Sequence, residues 1–250
     1  MKIRDFAAKM DALIPKTLSE VWDHDGVMVM PNGEQEVTKV LCALDCTSLA
    51  VEKAVSLGCN VIVTHHPLLF SPLASLTSDD EVGKRVLACV QNGIAVLSYH
   101  TRLDSMEGGV NDQLGERIGL LNPTPFLPYG RIGNVEEQSF DAFCENVKKN
   151  LQVEALQCVR CHDTVRRVAL VSGSGKSAVA DAFHAGADTY LTGECSHEGM
   201  IACKEYGMNL ICATHYATER VVLPFLASLV KECNADAVVH DFLSKDEYGI

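Results

Sequence analysis

The sequence predicts an α/β protein of two α/β domains with mostly parallel or mixed sheets, and three observations lead there. Short, largely apolar segments at residues 40–44, 61–63 and 94–98 have the length and β-branched character of strands buried on both faces. Segments of helical spacing alternate with them, the pattern of right-handed βαβ units. Histidines and acids follow several of the strand segments directly, at the edge where open parallel sheets bind ligands.

Residues 1–15 carry Ile3, Phe6, Ala7, Met10, Leu13 and Ile14 at helical spacing with Lys and Asp between them. This reads as an amphipathic helix rather than the apolar segment of a signal peptide. Trp22-Asp23-His24-Asp25-Gly26 follows, where the glycine suits a turn. Strand 40–44 leads to Asp45. Thr47 suits the N-cap of a helix over 48–57, with Gly58 as its stop. Strand 61–63 runs into Thr64-His65-His66-Pro67, and Pro67, unable to donate to a ladder, ends the strand at or before His66. Ser78-Asp79-Asp80-Glu81 reads as a capping box for a helix that buries Val82, Val86, Leu87 and Val90 and stops at Gly93. Strand 94–98 then delivers His100 and Asp104, and a short helix through Leu114 and Ile118 follows Gly108 and Gly109.

Three prolines between residues 122 and 128 mark a linker. A second unit has a helix near 139–150, strands near 154–160 and 165–171, and a helix over 176–185. A strand at 188–192 and a helix near 197–206 complete it. Strand 209–213 ends in Thr214-His215-Tyr216-Ala217-Thr218-Glu219, a helix carrying Val222, Leu226 and Val230 follows, and a last strand is expected at 235–239. The expected division is a metal-binding domain of residues 1–122 plus 208–250 and a smaller domain of 123–207.

Acidic residues outnumber basic ones to give a net charge of −12, spread along the chain, which excludes a sequence-independent nucleic-acid binder. No apolar run reaches the roughly 20 residues of a membrane span. Eleven cysteines lie scattered, and Cys42, Cys89 and Cys212 sit in apolar runs as small buried hydrophobes. The expectation is a reducing, cytoplasmic setting.

A histidine on an apolar face is more often a satisfied core residue than a ligand. Here, however, His65, His66, Asp104, His215 and Glu219 all fall just past strand ends, and His215 and Glu219 share one helix face at i,i+4. Imidazole and carboxylate together suit Zn, Mn, Fe or Co. Five ligands exceed the three protein groups of a catalytic zinc site, so two divalent ions sharing a bridging carboxylate and water fit better. Such a pair leaves the site positive enough for an anionic small-molecule substrate and supplies a hydroxide nucleophile near neutral pH. His100 is a candidate catalytic proton shuttle, with a structural hydrogen bond as the alternative. Three further clusters carry less weight. Residues 172–177 imitate a phosphate loop but have Leu170 where the first glycine belongs. Cys158-Val159-Arg160-Cys161-His162 imitates a haem-attachment pattern. Cys195-Ser196-His197 beside Glu194 reads as a surface loop.

Thr64-His65-His66-Pro67-Leu68, His100-Thr101-Arg102-Leu103-Asp104 with Gly108-Gly109-Val110-Asn111-Asp112, Gly186-Ala187-Asp188-Thr189-Tyr190-Leu191-Thr192-Gly193-Glu194 and Thr214-His215-Tyr216-Ala217-Thr218-Glu219 resemble the type 2 GTP cyclohydrolase I family. It is also called the Nif-three-like dinuclear metal-centre family. The motifs stand in the family's order across nearly the whole chain. Trp22-Asp23-His24-Asp25-Gly26 resembles its N-terminal signature, and His24 and Arg102 stand where Asn is commoner. The resemblance implies two α/β domains, a toroidal homohexamer and a two-metal site on His65, His66, Asp104, His215 and Glu219. The first expectation for activity is a metal-dependent hydrolase attacking a purine nucleotide such as GTP, releasing formate and opening the ring. The alternative expectation is a non-enzymatic metal-binding or regulatory hexamer serving iron handling or protein interaction.

Overall fold

Local chemistry sets the first elements of the chain, seen in a computed structural model that describes residues 1–233 and 238–241. The elements run α1 (Ile3–Leu13), β1 (Gly26–Val29), β2 (Lys39–Ala43), α2 (Ser48–Leu57), β3 (Val61–Thr64), α3 (Glu81–Gln91) and β4 (Ala95–Ser98). Then come α4 (Thr101–Ser105), α5 (Val110–Ile118), β5 (Leu121–Pro125), β6 (Arg131–Ser139), α6 (Phe140–Leu151), β7 (Gln157–Val159) and β8 (Thr164–Ser174). Last are α7 (Val179–His184), β9 (Thr189–Glu194), α8 (His197–Tyr206), β10 (Asn209–Cys212), α9 (His215–Glu219), α10 (Leu223–Cys233) and β11 (Val238–Asp241). Of the strand expected at 235–239, residues 235–237 lie outside the described residues.

The chain divides into two units, Met1–Leu103 with the segment from Leu223, and Asp104–Val222. In the first, the sheet order is β1-β4-β3-β2-β11, with β4, β3, β2 and β11 parallel and β1 antiparallel at one edge. Leu41, Ile62 and Val96 are lateral neighbours in register and bury one face against Ala50, Val51 and Ala54 of α2 and Val86 and Cys89 of α3. On β2 also packs α10, against which α1 lies. The caps of α2 are those the sequence predicts: Thr47 Oγ1 accepts from Ala50 N at 3.0 Å, and Gly58 closes the helix at φ 66°. The start of α3 differs. Asp80, rather than Ser78, caps it by accepting from Gly83 N at 2.6 Å, so the inward stripe shifts to Gly83, Val86 and Cys89 and leaves Val90 exposed.

In the second unit the sheet order is β5-β6-β8-β9-β10-β7, with β8, β9 and β10 parallel and the outer strands antiparallel. Successive residues face opposite sides. Leu170, Leu191 and Ile211 join Leu114 of α5 and Phe143 and Val147 of α6 on one face. Ala169, Tyr190 and Leu210 join Val179 and Ala182 of α7 and Cys203 of α8 on the other. Residues 122 and 208, the expected boundaries, both lie within the second unit. Residues 121–125 pair with β6 as the exposed edge strand β5 instead of forming a linker, the one place in a sheet that prolines tolerate. Strand β10 belongs to the second sheet because its ladder runs to β9 and β7.

Candidate metal centre

In the first unit, β3 and β4 end side by side and turn their next residues into one place. The Thr64 hydroxyl donates to the His66 carbonyl at 2.7 Å and lies 2.8 Å from Ser98 Oγ, which folds the chain back after the strand. His65, fully buried, holds Nδ1 3.0 Å from the Tyr99 carbonyl. A carbonyl only accepts, so Nδ1 carries the proton and Nε2 the lone pair. His66 Nδ1 lies 2.8 Å from Asp45 Oδ1, which fixes the same tautomer. His100 Nδ1 lies 3.2 Å from Asp23 Oδ2. The ring centroids of His65, His66 and His100 are 4.9–5.7 Å apart, and one ligand nitrogen from each lies within 4.8 Å of the others. Imidazoles held by a carbonyl or carboxylate on one nitrogen and grouped this closely could hold a metal ion.

The acids of residues 22–26 support this cluster. Asp23 is buried and accepts from Thr101 N at 3.0 Å and Thr101 Oγ1 at 2.6 Å. Burial raises its pKa, but the hydrogen bonds from His100 and Thr101 outweigh that and hold it well below the usual carboxylate range. Asp25 accepts from His100 N at 3.2 Å and Arg102 Nε at 2.9 Å. Arg102 is 1% exposed; it also donates to Asp11 Oδ1 at 2.8 Å and the Ile14 carbonyl at 2.7 Å, and lies over the Tyr99 ring at 4.7 Å. Gly26 starts β1 at φ 111°, where a Cβ would stand 3.1 Å from Arg102 Nη2.

In the second unit, α9 follows β10 through Thr214, whose φ of 66° is unusual for a β-branched residue and turns the chain sharply. His215 Nε2 lies 3.0 Å from Glu219 Oε2 and its Nδ1 lies 3.4 Å from Glu194 Oε1. One imidazole flanked by two carboxylates makes a local field that favours a cation. Two glycines let the sheet approach this helix. A Cβ on Gly173, at φ 57°, would fall 2.1 Å from Glu219 Oε1, and one on Gly193 would fall 2.8 Å from His215 Cα. Thr218 Oγ1 accepts from Gly173 N at 3.0 Å. Asp104, on α4, opens the unit, and its carbonyl accepts from Asn111 Nδ2 at 3.3 Å; Asn111 Oδ1 accepts from Ser172 N at 2.8 Å. Asp112 grips Arg131 with both oxygens, at 2.5 and 3.1 Å.

The structure thus brings His65, His66 and His100 together in one unit and His215 and Glu219 together in the other. Sequence reasoning missed Asp45, Asp23, Glu194, Gly173 and Gly193. Asp45 directly after a strand was the available signal for the first. The loop imitating a phosphate site instead presses Gly173 against a carboxylate, which an anion would avoid. Nor is residue 162 a haem ligand: His162 Nε2 meets the Asp188 carbonyl at 3.1 Å and Nδ1 meets Asn209 Nδ2 at 3.3 Å. Ser196 caps α8 by accepting from Gly199 N at 3.2 Å. Among the described residues no helix is long and apolar enough to cross a membrane.

Comparison with known proteins gives a consistent answer. A family model described as Duf34/NIF3 (NGG1p interacting factor 3) matches residues 1–247. A Clostridium perfringens protein named GTP cyclohydrolase 1 type 2 homolog is 32% identical over 98% of this chain and 97% of its own. One of the same name from Methanocaldococcus jannaschii is 33% identical over 88% and 90%. Among solved structures, reduced HcgD from Methanocaldococcus jannaschii superposes with a TM-score of 0.85 at 31% identity, covering 96% of this chain and 97% of that one. A Bacillus cereus protein related to NIF3 shares the fold at a TM-score of 0.92 and 22% identity, over 99% and 98% of the two chains. With the motifs in order and the match running almost end to end, this chain belongs to the Duf34/NIF3 family.

Proposed function

We propose that this protein is a metal-dependent hydrolase whose His65, His66, Asp104, His215 and Glu219 hold two divalent ions, and that it acts on a purine nucleotide such as GTP or another phosphorylated small molecule. The observation that carries the reading is the common tautomer of His65 and His66, each with Nδ1 held by an acceptor, in a group whose ligand nitrogens lie within 4.8 Å of one another. The His215–Glu219 pair, backed by Gly173, supports it from the second unit. The names of the curated relatives support the nucleotide. Bound divalent ions supply Lewis acidity and a water whose pKa falls to about 7.

The chain's own residues do the rest. Asp45 and the Tyr99 carbonyl orient the imidazoles. Asp23 holds Nδ1 of His100, which leaves Nε2 to take a proton from water or return it to the leaving group. Trp22 and Phe70, 54% and 61% exposed and with ring centroids 6.0 and 6.3 Å from His100, offer an apolar wall for a flat ring. The assembly expected from the family is a cytoplasmic homohexamer, which light scattering measures.

The test is metal analysis of protein loaded with Zn, Mn, Fe or Co, followed by formate and phosphate assays with GTP. We expect about two ions per chain, lost in His66→Ala and Glu219→Gln. His100→Gln is expected to keep the metal and lose roughly 10²–10⁴-fold in turnover. Trp22 is the only tryptophan, so its fluorescence reports nucleotide binding separately. Fully loaded protein that releases neither formate nor phosphate refutes the enzymatic reading and leaves a metal-binding assembly. A ratio below about one ion per chain refutes the pair of ions.

A further inference from the structure

Cys144 and Cys158 stand apart from the other thiols of the chain. Cys144 on α6 is half-buried, Cys158 on β7 is exposed, and their sulfurs lie 4.0 Å apart. That is van der Waals contact, and a disulfide bond is about 2.05 Å long, so closure asks each side chain to move by about 1 Å. Strand β7 lies at the sheet edge, where a small shift disturbs one ladder only. Cys46 and Cys89 also share a hydrogen bond, but at 2% and 0% exposure they are closed to an oxidant in water. Cys161 donates instead to the Cys203 carbonyl, at 3.7 Å, and Cys195 packs on the core beside α7 and α8.

We propose that Cys144 and Cys158 form an oxidisable dithiol, a site at which a hydroperoxide converts two thiols into an intramolecular disulfide that ties β7 to α6. Lys148 follows Cys144 by one helical turn. The hydrogen bond from Cys144 and the Lys148 ammonium together draw the Cys158 thiol below its ordinary pKa, against the effect of burial. Cys158, the exposed member of the pair, is the attacking sulfur. It gives its proton to solvent and attacks one peroxide oxygen; the O–O bond breaks and the leaving hydroxide takes up a proton as water. The Cys144 sulfur then attacks the Cys158 sulfenic acid. The S–O bond breaks, the S–S bond forms, and the hydroxyl departs with the Cys144 proton as a second water. The two thiols lose two electrons and the peroxide gains them.

The experiment treats the reduced full-length protein with hydrogen peroxide, alkylates the remaining thiols and maps the peptides without reduction. The expected result is a cross-linked peptide joining Cys144 to Cys158, formed before any other thiol is consumed and reversed by dithiothreitol. Cys46 and Cys89 are expected to be recovered alkylated after unfolding. In Cys144→Ser, Cys158 is expected as a sulfenic acid trapped by dimedone; in Cys158→Ser, Cys144 is expected to stay alkylatable. Oxidation of Cys158 no faster than Cys161, or a Cys158 disulfide to any other thiol, including one on a second copy, overturns the proposal. The map of the unsubstituted protein decides this alone, whatever the variants do to folding.

Discussion

Gly173→Ala isolates the contact on which the His215–Glu219 cluster rests. Two costs act there. At φ 57° an alanine meets left-handed strain of about 1–2 kcal/mol. Its Cβ would also stand 2.1 Å from Glu219 Oε1 and 3.0 Å from His215 Nε2, so both side chains must shift, an overpacking cost of about 1–3 kcal/mol. The expected total is roughly 2–5 kcal/mol. Gly207→Ala is the control, because its φ is 66° and nothing lies within 4 Å of the added carbon; it carries the strain alone. Urea unfolding of both variants separates the two costs, and calorimetric titration with Zn or Mn reads the displaced ligands, with a loss of about 10–100-fold expected for Gly173→Ala. Equal destabilisation of the two variants, with metal affinity untouched, would refute the reasoning.

Asp45→Asn removes the carboxylate that orients His66 and is expected to weaken metal binding about 10–100-fold with little change in stability, as calorimetry would show. Arg102→Met leaves the buried Asp25 carboxylate with Lys16 as its remaining cation and is expected to cost about 1–3 kcal/mol in urea unfolding. Asp23 has a folded pKa below its unfolded value, so its contribution to stability is present above pH ~4 and fades as pH falls toward the folded pKa. Asp23→Asn is therefore expected to flatten the fall in Tm below pH ~4, measured by circular dichroism across an acid series. Burial pushes the Cys203 and Cys212 thiols up to about 12, and both are expected to resist iodoacetamide at pH 8 until the protein unfolds, which mass spectrometry would follow.

What the sequence disclosed and what it withheld follow one physical line. Helix α2 was legible to the residue because Thr47 and Gly58 act on their own neighbours. Strands β3 and β4 were legible because a core strand in a parallel sheet is apolar at every position. Strand β5 was hidden because every residue in it is exposed and two are prolines, so it exists only through its pairing with β6. The histidine and acid clusters of the two units were visible as histidines and acids after strands. Asp23 and Glu194 were not, since an acid that steadies an imidazole is marked only by where the fold sets it. The role of Gly173 was hidden for the same reason: its loop announces a turn, and only the packing of α9 shows what the turn makes room for.

Arg102 has a consequence for reading relatives of this protein. Its Nε donates to Asp25 and its Nη1 to Asp11 and the Ile14 carbonyl, so positions 11, 25 and 102 are joined in one block. Exchanging Arg102 alone for asparagine would leave the buried Asp25 carboxylate with Lys16 as its remaining cation. An alignment column that treats this position as freely interchangeable would miss that the chain has tied its amino-terminal helix to the loop bearing His100 with a single side chain.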